Sequence, residues 1–336
     1  MRPHQQHSEI GGTWALVLAG GSGTRLRSLT TRDDVFVPKQ YCSLRRGPSL
    51  LTQTLIRAAS VAPTARTCAV VAAQHRWCWE SQLASMPRAN VFVQPQDRGT
   101  AHGVLLALLQ LHARDPHATV LMLPADHYVK NEAVFARSLR NMTEFASHTE
   151  DAIYLLGAEP SGPDTELGYI VPAHRHDEPA RVLSFVEKPD AVQARHLLAA
   201  GALWNMFIIA GSADALLQLY ALSHASSVAL MRAAIREMQM NDTAALASTY
   251  RELRAVDFSR DLLEPQARRL LVLRTPPCGW SDLGTPKRVI ETLTQLQAEL
   301  GRAPVPSPSA ALSLADQCGR PSRGNSSSKL IFGGTS

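Results

Sequence analysis

Directly after the first apolar run comes Leu18-Ala19-Gly20-Gly21-Ser22-Gly23-Thr24-Arg25-Leu26, with three glycines in four positions ahead of an arginine. Glycine-rich backbone turns sharply and aims several N–H groups at one point, forming a nest for an anion such as phosphate. Arg25 adds a guanidinium fork that pairs with phosphate oxygens two at a time. A plain strand-to-loop turn needs one glycine rather than three. A Walker loop needs Gly-Lys-Ser/Thr, and no such lysine follows here. A dinucleotide fingerprint needs its third glycine where Leu26 stands and an acidic residue roughly 20 positions on. Tyr41–Arg46 supplies none. The segment reads as a phosphate loop of another kind.

Further along are residues that suit the same chemistry. Lys39, in Val37-Pro38-Lys39-Gln40, is one of only five lysines among 34 basic residues, so its placement beside the loop carries weight. It presents a compact point charge. Asp126 closes Leu123-Pro124-Ala125-Asp126 at the end of an apolar run, where a bare carboxylate is costly unless it holds a cation or hydrogen bonds. Asp282, in Trp280-Ser281-Asp282-Leu283-Gly284, is a second such carboxylate. Two carboxylates with phosphate oxygens and water suit the oxygen-rich octahedron of Mg²⁺. The competing role is structural: Asp126 as a helix cap for the segment after Lys130, and Asp282 as the cap of a helix from Thr285.

These residues need a scaffold, and the apolar pattern supplies one. Strands are expected at Trp14–Leu18, Thr67–Ala72, Asn90–Val93, Thr119–Leu123 and Ala152–Gly157, alternating with helices at Ser49–Ala62, Thr100–Ala113 and Ala133–Ser147. That alternation predicts an α/β protein, a Rossmann-like mixed, mainly parallel sheet flanked by helices on both faces. Ligands in such sheets sit at the carboxyl ends of the strands. Beyond Gly168 the pattern changes to strands at Gly168–Pro172, Arg181–Glu187, Leu203–Ala210 and Leu270–Thr275. Helices are expected around Asp190–Ala200, Ser212–Leu222, Ser227–Gln239, Thr243–Leu253 and Thr285–Leu300. The domain reading is a flexible extension over 1–12, one catalytic domain over 13–300 and a disordered tail over 301–336, the tail being rich in Pro, Ser, Gly and Ala.

Composition excludes several classes. With 45% hydrophobic and 19% charged residues the chain is globular. Of its net charge of +5, the tail after Leu300 holds +3, from four basic residues against Asp316. The body is nearly balanced and lacks the basic face that nucleic acid demands, so no nucleic-acid partner is expected. No apolar run approaches the ~18 residues of a membrane span, so no membrane partner is expected either. A polar start, and five scattered cysteines without a C-x-x-C pair, point to the cytoplasm and away from zinc or disulfides.

Taken in order, LAGGSGTRL (18–26), PKQ (38–40), RGTA (98–101), LPADH (123–127), GYI (168–170), FVEKP (185–189), WN (204–205) and GWSDLG (279–284) resemble the sugar-1-phosphate nucleotidyltransferases. Within them the resemblance is closest to the mannose-1-phosphate guanylyltransferases. It implies the nucleotide-diphospho-sugar transferase fold, of GT-A-like type. It also implies transfer of a nucleotidyl group from GTP (or another NTP) to a sugar 1-phosphate, with release of pyrophosphate. The residues carried over are Arg25 and Lys39 as catalytic groups. Leu18, Ala19, Gly20, Gly21, Gly23, Thr24, Gly99 and Thr100 would bind nucleotide, and Gly168, Glu187, Lys188 and Asn205 the sugar phosphate. Asp126 and Asp282 would hold Mg²⁺. A homodimer stays open. So do a dTDP- or UDP-sugar pyrophosphorylase and a non-catalytic regulatory subunit that senses nucleotide-sugars. The run Trp204-Asn205-Met206-Phe207 departs from the family's Trp-Asn-Ser-Gly before Met-Phe and reads as two residues shorter.

Overall fold

The computed structural model describes residues 11–32, 35–44, 47–174, 179–240, 244–298 and 313–314. Nine strands form one sheet: β1 (Thr13–Ala19), β2 (Thr67–Ala72), β3 (Val91–Gln94), β4 (Thr119–Pro124), β5 (Ile153–Ala158), β6 (Gly168–Pro172), β7 (Ala180–Glu187), β8 (Leu203–Ser212) and β9 (Leu270–Thr275). Their order is β3-β2-β1-β4-β8-β5-β9-β7-β6, with β6 pairing also to β8. The run β3-β2-β1-β4 is parallel throughout, as is β5-β9. β8 lies between these two blocks and runs antiparallel to β4 and β5. β7 is antiparallel to β9 and β6. The α/β architecture with parallel blocks is as expected.

Among the described residues the α-helices longer than a single turn are α1 (Leu50–Ala58), α2 (Thr100–Arg114), α3 (Glu132–Ser147), α4 (Ala191–Ala199), α5 (Ala213–Ser223), α6 (Ala225–Gln239), α7 (Ala245–Glu252) and α8 (Pro286–Ala298). Several begin where a capping side chain satisfies an otherwise unbonded N–H. Ser49 accepts from Thr52 N, Asn131 from Val134 N, Asp190 from Val192 N and Gln193 N, and Ser212 from Ala215 N.

Side-chain alternation along the strands feeds two cores. β1 sends Leu16 to one face and Ala15 and Val17 to the other; β4 likewise divides Val120 and Met122 from Leu121 and Leu123. The first core takes α2, α5, α6 and α7, the second α1, α3 and α8. Both faces are covered, which is why the central strands read as unbroken apolar runs.

The expected extension over 1–12 lies outside the described residues except for Gly11 and Gly12, and Gly12 already bonds to the body through Asp115 and Thr119. The expected tail over 301–336 lies outside them too, apart from Ser313–Leu314, which pair antiparallel with Cys42–Ser43. Among the described residues no helix is long and apolar enough to cross a membrane.

Candidate active site

The parallel register brings the chemistry-bearing loops together. Leu18 pairs with both Val70 and Pro124, so β1 and β4 end side by side and release the glycine loop next to Asp126. The Asp282 loop is fastened to the Asp126 loop by a two-way bridge: Tyr128 N–H donates to Ser281 O at 2.8 Å, and Ser281 N–H returns to Tyr128 O at 3.0 Å. β8 extends past the end of β4, and there its Leu203 and Trp204 pair with β6, carrying Gly168 and Asn205 over the sheet end. The result is a cleft of about 680 Å³.

Twelve of the residues singled out in the sequence line it: Leu18, Gly20, Gly21, Arg25, Gly99, Thr100, Asp126, Gly168, Glu187, Lys188, Asn205 and Asp282. Ala19, Gly23, Thr24 and Lys39 do not. Ala19 is buried, its carbonyl taking hydrogen bonds from Gln40 Nε2 and Tyr41 Oη at 3.0 and 2.9 Å. Gly23 sits at φ 63° against Pro38 and Lys39, where a Cβ would have little room. Ala19 and Gly23 thus shape the loop rather than present it, while Thr24 is exposed.

Lys39 stands behind the carboxylates. Only 7% exposed, its Nζ lies 3.0 Å from Asp126 Oδ2 and donates to the carbonyls of Asp282 and Leu283 at 2.6 and 3.2 Å. One ammonium thus ties the two aspartate loops together. Close packing alone would raise the Asp126 pKa, but Lys39 and the neighbouring His127 outweigh it and hold the carboxyl below its ordinary value. Burial likewise pushes Asp282 up, and Arg288, His127 and Lys39 together bring it down. His127 is pushed down to about 4, chiefly by burial. It is therefore neutral, in keeping with Trp280 Nε1 donating to its Nδ1 at 3.2 Å.

The structure also decides the helix-cap alternatives. Asn131, not Asp126, caps α3. Asp282 Oδ1 accepts from Gly284 N at 3.0 Å and from Arg288 on α8, while the Arg288 N–H bonds Thr285 Oγ1 at 3.3 Å. Both aspartates line the cleft: the Asp126 side chain is 36% exposed, with Oδ1 3.7 Å from His127 Nε2, and the Asp282 side chain is 15% exposed. That donor pair fits a hard divalent cation. Among the described residues no cluster of three metal-binding side chains occurs, so other ligand positions would fall to substrate oxygens and water.

Elsewhere the cleft is polar and braced. Arg25 pairs with Glu166 at 3.3 Å, both about half-exposed, so the phosphate-loop arginine spans the cleft mouth. Lys188 Nζ donates to Glu187 Oε1 at 2.8 Å. Burial raises the Glu187 pKa despite that bond. Gly99, at φ 84°, lies so near Val256 that a Cβ there would collide with the Val256 carbonyl oxygen.

Several site residues carry no signal in the sequence. Gln94, at the end of β3, is wedged between Gly20 and Gly103, and its buried Oε1 has no hydrogen-bond partner. The cleft wall over 255–261, which runs into a single π turn at Ser259–Leu263, lies in a stretch without periodicity, readable only as Val256-Asp257-Phe258-Ser259 with Glu264 in place of the family's Ser-Ile-Asp-Tyr…Met-Glu segment. Among the described residues three non-glycines adopt positive φ: Lys188 at 51°, Phe207 at 55° and Leu283 at 49°. Each conformation costs on the order of 1–3 kcal/mol, and such strain gathers at functional sites. The Trp204–Phe207 run that reads as short is a bulge with extra residues. Asn205 pairs with Gly157 and Ile209 with Leu155, four steps along β8 against two along β5.

Comparisons with known proteins agree with this geometry. The chain is 35% identical over 205 residues to the alginate biosynthesis protein AlgA of Pseudomonas aeruginosa, 59% of this chain and 41% of that protein. It is 32% identical over 200 residues to a mannose-1-phosphate guanylyltransferase of Escherichia coli, 56% of this chain and 41% of that protein. The chain thus spans about two fifths of the length of the curated relatives it matches. Among solved structures, one described as mannose-1-phosphate geranyltransferase from Thermus thermophilus superposes with a TM-score of 0.72 at 29% identity, covering 84% of this chain and 79% of that one. The pattern of the Nucleotidyl transferase family matches residues 14–299, from the first sheet strand to the last helix, and the chain belongs to that family.

Proposed function

We propose that this protein transfers a nucleotidyl group from an NTP to a sugar 1-phosphate, with GTP and mannose 1-phosphate as the substrates the reading favours. The observation that carries it is the convergence of two ionised aspartates, from separate loops, beside a three-glycine loop in one cleft. In the reaction a sugar-phosphate oxygen attacks the α-phosphorus in line, the α–β phosphoanhydride bond breaks and pyrophosphate departs. Both reactants are polyanions, so positioning and charge neutralisation dominate the barrier.

The residues divide that work by place. The Gly20–Gly21 backbone seats the nucleotide phosphates, and Arg25 leaves Glu166 to meet the departing pyrophosphate. Asp126 and Asp282 would hold Mg²⁺, which when bound supplies charge neutralisation between the two phosphates. Lys188 meets the sugar phosphate, while Glu187, Asn205 and the Gly168 backbone receive sugar hydroxyls. Gln94, which lines the cleft against Gly20, offers its carboxamide to the base. The likeness to a mannose-1-phosphate guanylyltransferase supports GTP over other nucleotides.

A pyrophosphate-release screen of four NTPs against a panel of sugar 1-phosphates tests the reading, GTP with mannose 1-phosphate being expected to turn over fastest. Absence of turnover with every pair would favour a nucleotide-sugar-sensing subunit. In the same assay Lys188→Ala is expected to raise the sugar-phosphate KM roughly 10- to 100-fold, the worth of a hydrogen bond to a charged group. Its kcat should change far less; an equal fall in kcat would place Lys188 at the reacting phosphorus instead.

A further inference from the structure

Phe207 is held in an unusual way. A bulky residue at φ 55° is a backbone outlier, and this one sits inside the β8 bulge where two residues are extruded from the ladder. Its neighbours Met206 and Ile208 are buried in the core shared with α1, α3 and α8, whereas Phe207 packs against the opposite core and lines the cleft. Its ring meets the buried Phe258 edge-to-face, with centroids 5.8 Å apart. Phe258 in turn meets Tyr220 at 6.1 Å, so the ring leans on a fixed aromatic stack. The Phe207 N–H donates to Asn205 Oδ1 at 3.0 Å. Since a backbone N–H can only donate, the carboxamide oxygen must face it, leaving Nδ2 as the donor Asn205 can offer a ligand. One bulge therefore places an aromatic wall in the cleft and orients an amide beside Gly168, whose Cα lies close to both Asn205 and Glu187.

We infer that Phe207 is a specificity-determining residue of the sugar subsite, restricting it to hexose 1-phosphates in which no ring hydroxyl is replaced by a bulkier group such as an acylamino group. This rests on the nucleotidyltransferase reading and adds what that reading lacks, a reason for size selection. A rigid ring backed by Phe258 cannot withdraw to admit an acylamino group, while its face suits the C–H surface of a compact hexose. The strained backbone is retained because it alone puts the ring in the cleft.

The test compares wild type, Phe207→Gly and Phe207→Ala, each with a hexose 1-phosphate and its N-acetylamino counterpart, by kcat/KM and by calorimetric binding. Wild type should favour the plain hexose, and both variants should lower that preference at least tenfold by improving the N-acetylamino substrate. Truncations of this size shift pocket discrimination by about that much. Phe207→Gly should melt above Phe207→Ala, because only glycine adopts positive φ without strain. An unchanged preference, or a gain confined to loss of the hexose, overturns the inference. Binding separates the two readings: selective binding without turnover removes the transferase assignment yet leaves size selection measurable. Failure to bind either sugar phosphate overturns both.

Discussion

Replacing Asp126 by Asn should lower pyrophosphate release at least about 100-fold while the protein keeps its fold. Loss of one preorganised charged contact to a transferring group costs about 3 kcal/mol of transition-state stabilisation. Asp126 has more to lose than most such groups, because it is held ionised by Lys39 and its side chain, 36% exposed, lines the cleft. Asn is nearly isosteric, and Lys39 retains the Asp282 and Leu283 carbonyls as acceptors, so the loops should stay in place. Circular dichroism and melting temperature check that point, and steady-state turnover against Mg²⁺ concentration checks the chemistry. Asp282→Asn should behave alike, with a weaker dependence on Mg²⁺. Undiminished turnover in either variant would return that aspartate to a purely structural task, Asp282 as a tether for Arg288 and Asp126 as a counter-charge for Lys39.

How much of this was legible beforehand differs by residue. The strands from Trp14 to Gly157 announce themselves because both faces of the sheet are covered, so each is a short apolar run bounded by turn residues. Asp126 and the glycine loop are legible for a related reason, since polar groups at the ends of buried strands need an explanation. Lys39 is legible as a singular residue but not in its direction. Its ammonium lies buried between the Asp126 carboxylate and the carbonyl of Asp282, 243 positions along the chain, and only the fold brings these together. Arg25 shows the converse case, because its charge is plain in the sequence but the Glu166 partner that holds it is not. Gln94 escapes altogether, and of Phe207 only the run it belongs to is legible, not its backbone. An unpartnered amide between two glycines, and a phenylalanine at positive φ, are products of close approach between distant segments, and no local pattern encodes them. The stretch after Leu253 is obscure for a plainer reason: π and 3-10 turns around Pro265 have no steady period to read.

Lys39→Met is the second large effect expected, and it separates two descriptions of the same lysine. If Lys39 touched the phosphates directly, its loss would slow transfer and leave stability alone. Its observed partners are instead an aspartate carboxylate and two backbone carbonyls, all within the protein. Methionine fills much of the same volume but satisfies none of them. Breaking a buried ion pair costs about 3–5 kcal/mol, and here solvent reaches the Asp126 side chain, 36% exposed, and offsets part of that. The carbonyls of Asp282 and Leu283 lose their donor as well, at about 1 kcal/mol each. A net loss of about 3 kcal/mol should lower the melting temperature on the order of 5 °C or more. Because Lys39 also fastens the Asp282 loop to Asp126, the carboxylates should drift apart, and the Mg²⁺ concentration giving half-maximal activity should rise along with the fall in kcat. A variant that lost kcat with its melting temperature and Mg²⁺ midpoint unchanged would show that Lys39 reaches the substrate after all, which requires it to abandon Asp126 when nucleotide binds.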